Sequence, residues 1–185
     1  EELFEIPCQP IKNLPRLLEE VKNKDISHIY KHNPNNHELD DTFFNPLVLQ
    51  SNIPVYDPNE YMQANRYKKT PEEITMLKKS AHISAHALKQ TMKNTKPGMT
   101  EAHLDAILEF EVRTMGAQRL AYPPIVASGT NGTTVIYVAN NQVIKEGDMI
   151  LCDVGAEYHA WPTDVCRTWP VSGKYTDEQR ALYDV

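Results

Sequence analysis

Cysteine is scarce in this chain: Cys8, Cys152 and Cys166 are odd in number and far apart. Such a set does not make the framework of a disulfide-stapled secreted domain and fits a reducing compartment. Glycine is scarce as well, seven residues against thirteen prolines, which points to stiff connections and strand edges more than to flexible loops. No apolar run approaches the roughly 20 residues of a membrane-crossing helix, and no signal-peptide pattern opens the chain. Positive charge is not in excess. Nineteen Lys and Arg stand against 25 Asp and Glu, a formal net charge of -6, which argues against a nucleic-acid surface. The first residue is Glu1 and not Met, as in a processed or partial product. What is there is a 185-residue chain, 41% hydrophobic and 24% charged, with the composition of a soluble globular protein. That length accommodates one full domain, or one small domain and part of another.

Residues 1–60 are irregular in pattern. NLPRLLEEVKN reads as a short helix with Pro15 in its first turn and Leu14, Leu17, Leu18 and Val21 on one face. Ile29 and Tyr30 read as a short strand before an Asn/Pro turn cluster. His28, His32 and His37 fall close enough together to bind a metal, but in so polar a loop solvated histidines are the better reading.

The clearest helix is RYKKTPEEITMLKKSAHISAHALKQTM. Thr70 caps it, Pro71 takes the first helical position and Glu73 completes a capping box. Its apolar stripe is Ile74, Leu77, Ala81, Leu88 and Met92. His82 and His86 share one helical face, but without the glutamate of a zinc-binding H-E-x-x-H they read as surface or interface residues. Lys96-Pro97-Gly98 ends this helix, and Thr100 caps a second, with Leu104, Ile107, Leu108 and Met115 buried and Gly116 as its stop. The two should pair antiparallel, with Leu77, Ala81, Leu88, Leu104 and Ile107 among the least exposed residues. After Gly116 come AYPPIVASG, TTVIYVANN, DMILCDVGAEY and AWPTDVCRTWPV, four strand-like runs. Helices followed by strands predict an α+β layer with the helices on one sheet face. Thr176 to Gln179 form another capping box, and the helix it opens reaches Val185 after about two turns, which reads as a truncated domain.

Asp153 and Asp164 stand in apolar, aromatic surroundings. If they lie on two strands of a hairpin with its tip near Tyr158 and His159, they face each other directly, with Cβ atoms roughly 5 Å apart. Two ionised carboxylates at that distance repel, so something should compensate them. A shared proton, the guanidinium of Arg167, and a divalent metal are the candidates, and both aspartates being solvated at strand ends is the fourth reading. In the same register Cys166 shares the aspartate face and Cys152 the opposite one, so no disulfide should join them.

The AYPP start, the run DVGAEY…TDVCRTWPVSGKYT and, upstream, RYKKTPEEITMLKKSA resemble the Xaa-Pro aminopeptidases (aminopeptidase P) among the pita-bread metallopeptidases, and look closest to the mitochondrial, intermediate-cleaving type. The resemblance covers roughly residues 60–185. It implies that residues 61–185 are the N-terminal half of a pita-bread catalytic domain, and that 1–60 are the remainder of an N-terminal α/β domain and linker. It further implies that Asp153 and Asp164 bind manganese in a dinuclear centre, Asp164 bridging both ions. The reaction would be two-metal hydrolysis of the bond ahead of a proline in second position. A homo-oligomer or larger complex, a mitochondrial address, and otherwise a cytoplasmic one, belong to the same set of expectations.

Two departures accompany the resemblance. Where the family places a His-Tyr pair on the preceding strand, this chain has Ile136-Tyr137, and isoleucine cannot donate a proton or stabilise an oxyanion. The family's remaining ligands, one histidine and two glutamates, come from the second half of the domain, and His159 at the hairpin tip cannot replace them. The chain alone is therefore expected to be inactive and to bind manganese weakly. Two readings stay open: an Xaa-Pro aminopeptidase-like enzyme, or a catalytically silent relative serving as a structural or binding subunit.

Overall fold

The computed structural model describes residues 11–13, 16, 19, 20, 27–30, 45 and 53–185. The chain divides into two compact units, Glu1–Lys69 and Thr70–Val185, against a boundary expected near residue 60. In the first unit, Ile11–Asn13 make a 3-10 turn, and Arg16, Glu19 and Glu20 are helical, as NLPRLLEEVKN suggests. The leucine stripe of that segment, His32, His37 and Cys8 lie outside the described residues. Strand β1 (Ile29–Tyr30) pairs in parallel with β2 (Val55–Tyr56), and helix α1 (Asn59–Tyr67) follows.

The second unit opens with α2 (Pro71–Asn94). Its start is locally specified. The Thr70 hydroxyl accepts from the Glu73 amide, the Glu73 carboxylate accepts from the Thr70 amide, and Pro71 needs no hydrogen-bond partner in the first turn. The buried face, however, is rotated from the expected stripe. Ser80, Ile83, Ser84, Ala87, Leu88 and Thr91 are buried, whereas Ala81 is exposed, Ile74 is 41% exposed and Leu77 is half-buried. Hydroxyls explain the rotation. Ser80 Oγ donates to the Ala156 carbonyl at 2.8 Å, and Ser84 Oγ accepts from the Ala156 amide at 2.8 Å. Small polar residues let the helix approach the sheet and satisfy strand backbone there, a role that apolar periodicity does not register.

Helix α3 (Glu101–Thr114) packs on α2 and buries Leu104, Leu108 and Val112, while Ile107 is only half-buried. Both helices cover one face of an antiparallel sheet ordered β4 (Ile125–Ser128), β5 (Met149–Val154) and β8 (Val165–Pro170). Ile150, Cys152 and Val154 of β5 join the core; Met149, Leu151 and Asp153 alternate onto the other face. A second small sheet joins β3 (Arg119–Leu120), β6 (Ala156–Tyr158) and β7 (Trp161–Pro162), and α4 (Asp177–Tyr183) opens on the expected Thr176 capping box. The mixed helix-and-sheet architecture is thus the α+β layer read from the sequence.

Two strand readings need correction. TTVIYVANN forms no strand: after a 3-10 turn at Gly129–Thr133 the chain is irregular, with Ile136 at φ 55° and Asn140 at φ 44°. The hairpin register differs as well. Asp153 faces Cys166 and not Asp164, because the turn is His159-Ala160, one residue later than expected. Both turn residues have positive φ, 50° and 64°, the backbone of a two-residue type I′ connection between Tyr158 and Trp161. A one-residue shift of the tip moves a partner by two positions and so leaves side-chain direction unchanged. Asp153, Cys166 and Asp164 keep the same face, and Cys152 and Cys166 are both free, as the expected parity requires.

Between β5 and β6 the chain transfers from one sheet to the other at Gly155. A Cβ at this position would lie 1.6 Å from the Thr163 carbonyl oxygen and 3.0 Å from Tyr122 Cε1. Gly155→Ala should therefore cost about 3 kcal/mol or more, the range of steric conflicts with no route to relaxation. Gly132→Ala, whose Cβ would meet only Leu151 Cβ at 3.7 Å, should stay within about 1 kcal/mol. Urea unfolding of both variants checks this pair, and equal stabilities would refute the close approach.

Candidate functional site

The structure brings the two predicted aspartates together through a third residue. Asp153, half-buried near the end of β5, and Asp164, exposed just before β8, both reach the phenol of Tyr122 between β3 and β4. The hydroxyl oxygen lies 2.5 Å from Asp153 Oδ1 and 3.0 Å from Asp164 Oδ1. One phenol carries one proton, and the shorter contact has the length of a charge-assisted O–H···O⁻ bond. The single proton is therefore shared, closer to Asp153 and also within hydrogen-bond reach of Asp164. Burial first, and then the two carboxylates, push the Tyr122 hydroxyl well above the ordinary tyrosine range, so it remains a neutral donor.

The other compensations considered for the pair can be weighed from geometry. Arg167 spends Nη1 on the Cys166 carbonyl at 2.6 Å and forms no ion pair with either aspartate. No hydrogen bond joins one carboxyl to the other among the described residues. The expected histidines are elsewhere: His159 sits in the β6–β7 turn against Tyr158, His86 pairs with Glu111 at 3.2 Å, and exposed His28 bonds Ser27 at 2.7 Å. His82 is exposed. Cys166 is opposite Asp153, and its thiol is pushed up by burial and by that carboxylate, which leaves it a poor thiolate.

The donor chemistry suits a hard divalent ion: two carboxylates converge from one sheet face, each with Oδ2 free of hydrogen bonds among the described residues. As a complete shell the set does not suffice. Among the described residues no three His, Cys, Asp or Glu side chains form a group that could hold a metal.

Sequence reasoning missed a third carboxylate, Glu101. It is fully buried at the start of α3 and accepts from Ser128 N and Oγ (both 2.8 Å), Asn131 Nδ2 (2.9 Å), the Tyr137 hydroxyl (2.7 Å) and Gln142 N (3.0 Å). Burial alone would raise its pKa, but these donors, Asn131 foremost, hold it below the ordinary carboxylate value. In the sequence it looks like any acidic residue in a helix first turn. Its effect is to tie α3 to the loop after β4 and to pin Tyr137. The neighbouring Ile136 is thereby held in the left-handed region at φ 55°, its side chain 73% exposed.

Comparison with known proteins follows the same residues. The model of metallopeptidase family M24 matches residues 75–185. Xaa-Pro aminopeptidase 3 of Homo sapiens is 38% identical over 154 residues, 82% of this chain and 30% of the relative's length. The mitochondrial Intermediate cleaving peptidase 55 of Arabidopsis thaliana is 41% identical over 120 residues, 65% of this chain and 24% of its own. The solved proline aminopeptidase P II from Yersinia pestis superposes with a TM-score of 0.84 at 31% identity, covering 95% of this chain and 42% of that one. The chain thus spans under a third of the curated relatives it matches and well under half of the solved structure.

Two outcomes follow from this geometry. Because the folded pKa of Glu101 lies below its unfolded value, its stabilisation is present in full above the unfolded pKa and is lost as pH falls through the folded one. Glu101→Gln should cost about 3 kcal/mol at neutral pH and remove that part of the acid-side loss, read from thermal melts across the acidic range. Ile136→Gly should raise stability by about 1 kcal/mol through relief of a β-branched residue at positive φ, and an unchanged or lower melting temperature would count against the strain.

Proposed function

The chain belongs to metallopeptidase family M24, and on that ground we propose that it carries part of the active site of an Xaa-Pro aminopeptidase. Its substrate would be a peptide with proline in second position, from which it releases the first residue. The observation that carries this reading is the convergence of Asp153 and Asp164 on one hydroxyl, on the sheet face the helices leave uncovered. These two carboxylates would be among the groups that hold the divalent ions, manganese in our reading. When bound, such ions supply Lewis-acid polarisation of the scissile carbonyl and a more acidic water. Residues 61–185 would be the first half of the catalytic domain, and a mitochondrial location is proposed from the likeness to Intermediate cleaving peptidase 55. No helix among the described residues is long and apolar enough to cross a membrane.

The chain's own residues act by position. Tyr122 keeps the carboxylates converged; β5 carries Asp153, and Asp164 enters from the residue just before β8. Ile136 offers no proton, and the Tyr137 hydroxyl is engaged by Glu101, so this loop contributes shape and not proton transfer. That same observation favours the second reading, a catalytically silent relative kept as a structural or binding subunit.

Activity separates the two. Residues 1–185 alone, given Mn²⁺ and a proline-second peptide, should show no turnover, since two carboxylates do not hold two ions in working geometry. Where the gene encodes more, the complete product should cleave such peptides, and Asp164→Ala should lower kcat/KM by more than ~100-fold, the range that even outer partners of a metal command. Ile136→His should raise the rate about tenfold or more if it restores a positioned proton donor. An inert complete product that Ile136→His does not rescue would retire the enzyme reading in favour of the silent subunit.

A further inference from the structure

We propose that Tyr122 is the positioning residue that sets the separation and direction of the Asp153 and Asp164 carboxylates for a divalent cation, an inference that rests on the metal reading above. Among the described residues, its hydroxyl is the sole hydrogen-bond partner of either carboxylate, at 2.5 Å and 3.0 Å. Among the described residues no other hydrogen bond or ion pair reaches either carboxylate. Asp164 in particular is exposed and lies outside the strands, so without this bond its side chain would rotate among solvent-facing rotamers.

The tyrosine can restrain others because it is itself restrained. The residue before it donates its amide to the Gly155 carbonyl at 2.8 Å, and the two residues after it, Pro123 and Pro124, fix the backbone on the far side. Its ring lies over Gly155, with Cε1 3.0 Å from where a Cβ would stand, so the ring occupies the space that the absent side chain leaves open. A rigid arm therefore delivers one hydroxyl between two carboxylates that come from opposite sides of the strand switch. Both hydrogen bonds use Oδ1, and Oδ2 of each aspartate is the atom left for a cation. Holding ligands in place before the cation arrives lowers the ordering cost of binding, which is why removal of such outer partners weakens metal sites by about 10- to 100-fold.

The test is a Mn²⁺ titration followed by electron paramagnetic resonance on the complete gene product, with wild type, Tyr122→Phe and Asp164→Ala side by side. Phenylalanine keeps the ring over Gly155, so the melting temperature of the metal-free protein should change little while the Mn²⁺ Kd rises about 10- to 100-fold. A Kd within twofold of wild type, with Asp164→Ala clearly impaired, would overturn the proposal. A melting temperature that falls while Kd stays constant would make Tyr122 a packing residue only and overturn it too. If wild type and both variants bind no Mn²⁺, the metal reading fails, and the crystal structure of Tyr122→Phe decides the positioning claim separately. Carboxylates that diverge in that structure support it, and carboxylates that keep their separation refute it.

Discussion

At Gly155 two backbone segments meet more closely than any side chain allows, and the rest of the site depends on that contact. The Thr163 carbonyl oxygen occupies the place a Cβ would take, 1.6 Å away, so β5 can end and β6 can begin in a different sheet without a loop between them. The transfer leaves the Ala156 amide and carbonyl facing α2, where Ser84 and Ser80 bond them. It leaves Asp164 outside its ladder, free to lean toward Asp153, and it makes the gap the Tyr122 ring fills. A hairpin that continued in one sheet would bring none of these groups together.

The second unit handles its carboxylates in two opposite ways, and the contrast separates architecture from chemistry. Glu101 is fully buried and receives five hydrogen bonds from neutral donors, so its charge is dispersed within the protein and has no capacity left for a ligand. Asp153 and Asp164 share one phenolic proton and keep one oxygen each without a partner among the described residues. The completed network builds the loop, and the incomplete one is where the proposed function is placed.

Ile136 belongs to both stories. The loop is pinned from within by Tyr137 and Glu101, and the result is a β-branched residue at positive φ with its side chain in solvent. Its run of β-branched residues reads as a strand because such residues favour extended backbone on average. Here five long-range hydrogen bonds to a buried carboxylate outweigh that preference, which spans only about 1 kcal/mol.

Local chemistry was legible in the sequence, and contacts distant along the chain were not. The capping boxes at Thr70 and Thr176 and the free cysteines on opposite faces follow from interactions within a few residues or from strand parity. So does the shared face of Asp153 and Asp164, since parity survives a two-position error in pairing. The family resemblance likewise rested on short runs of residues. The structure alone decided the register, which one turn residue shifts, and the seryl face of α2, which exists because a strand 72 positions away in sequence presents its backbone there. It alone decided that Tyr122 touches both aspartates and that Glu101 is a hub and not a surface acid. A sequence displays each residue's own preferences and its neighbours' spacing. Which buried donor meets which acceptor is set by how elements pack, and that is determined only when the whole unit has folded.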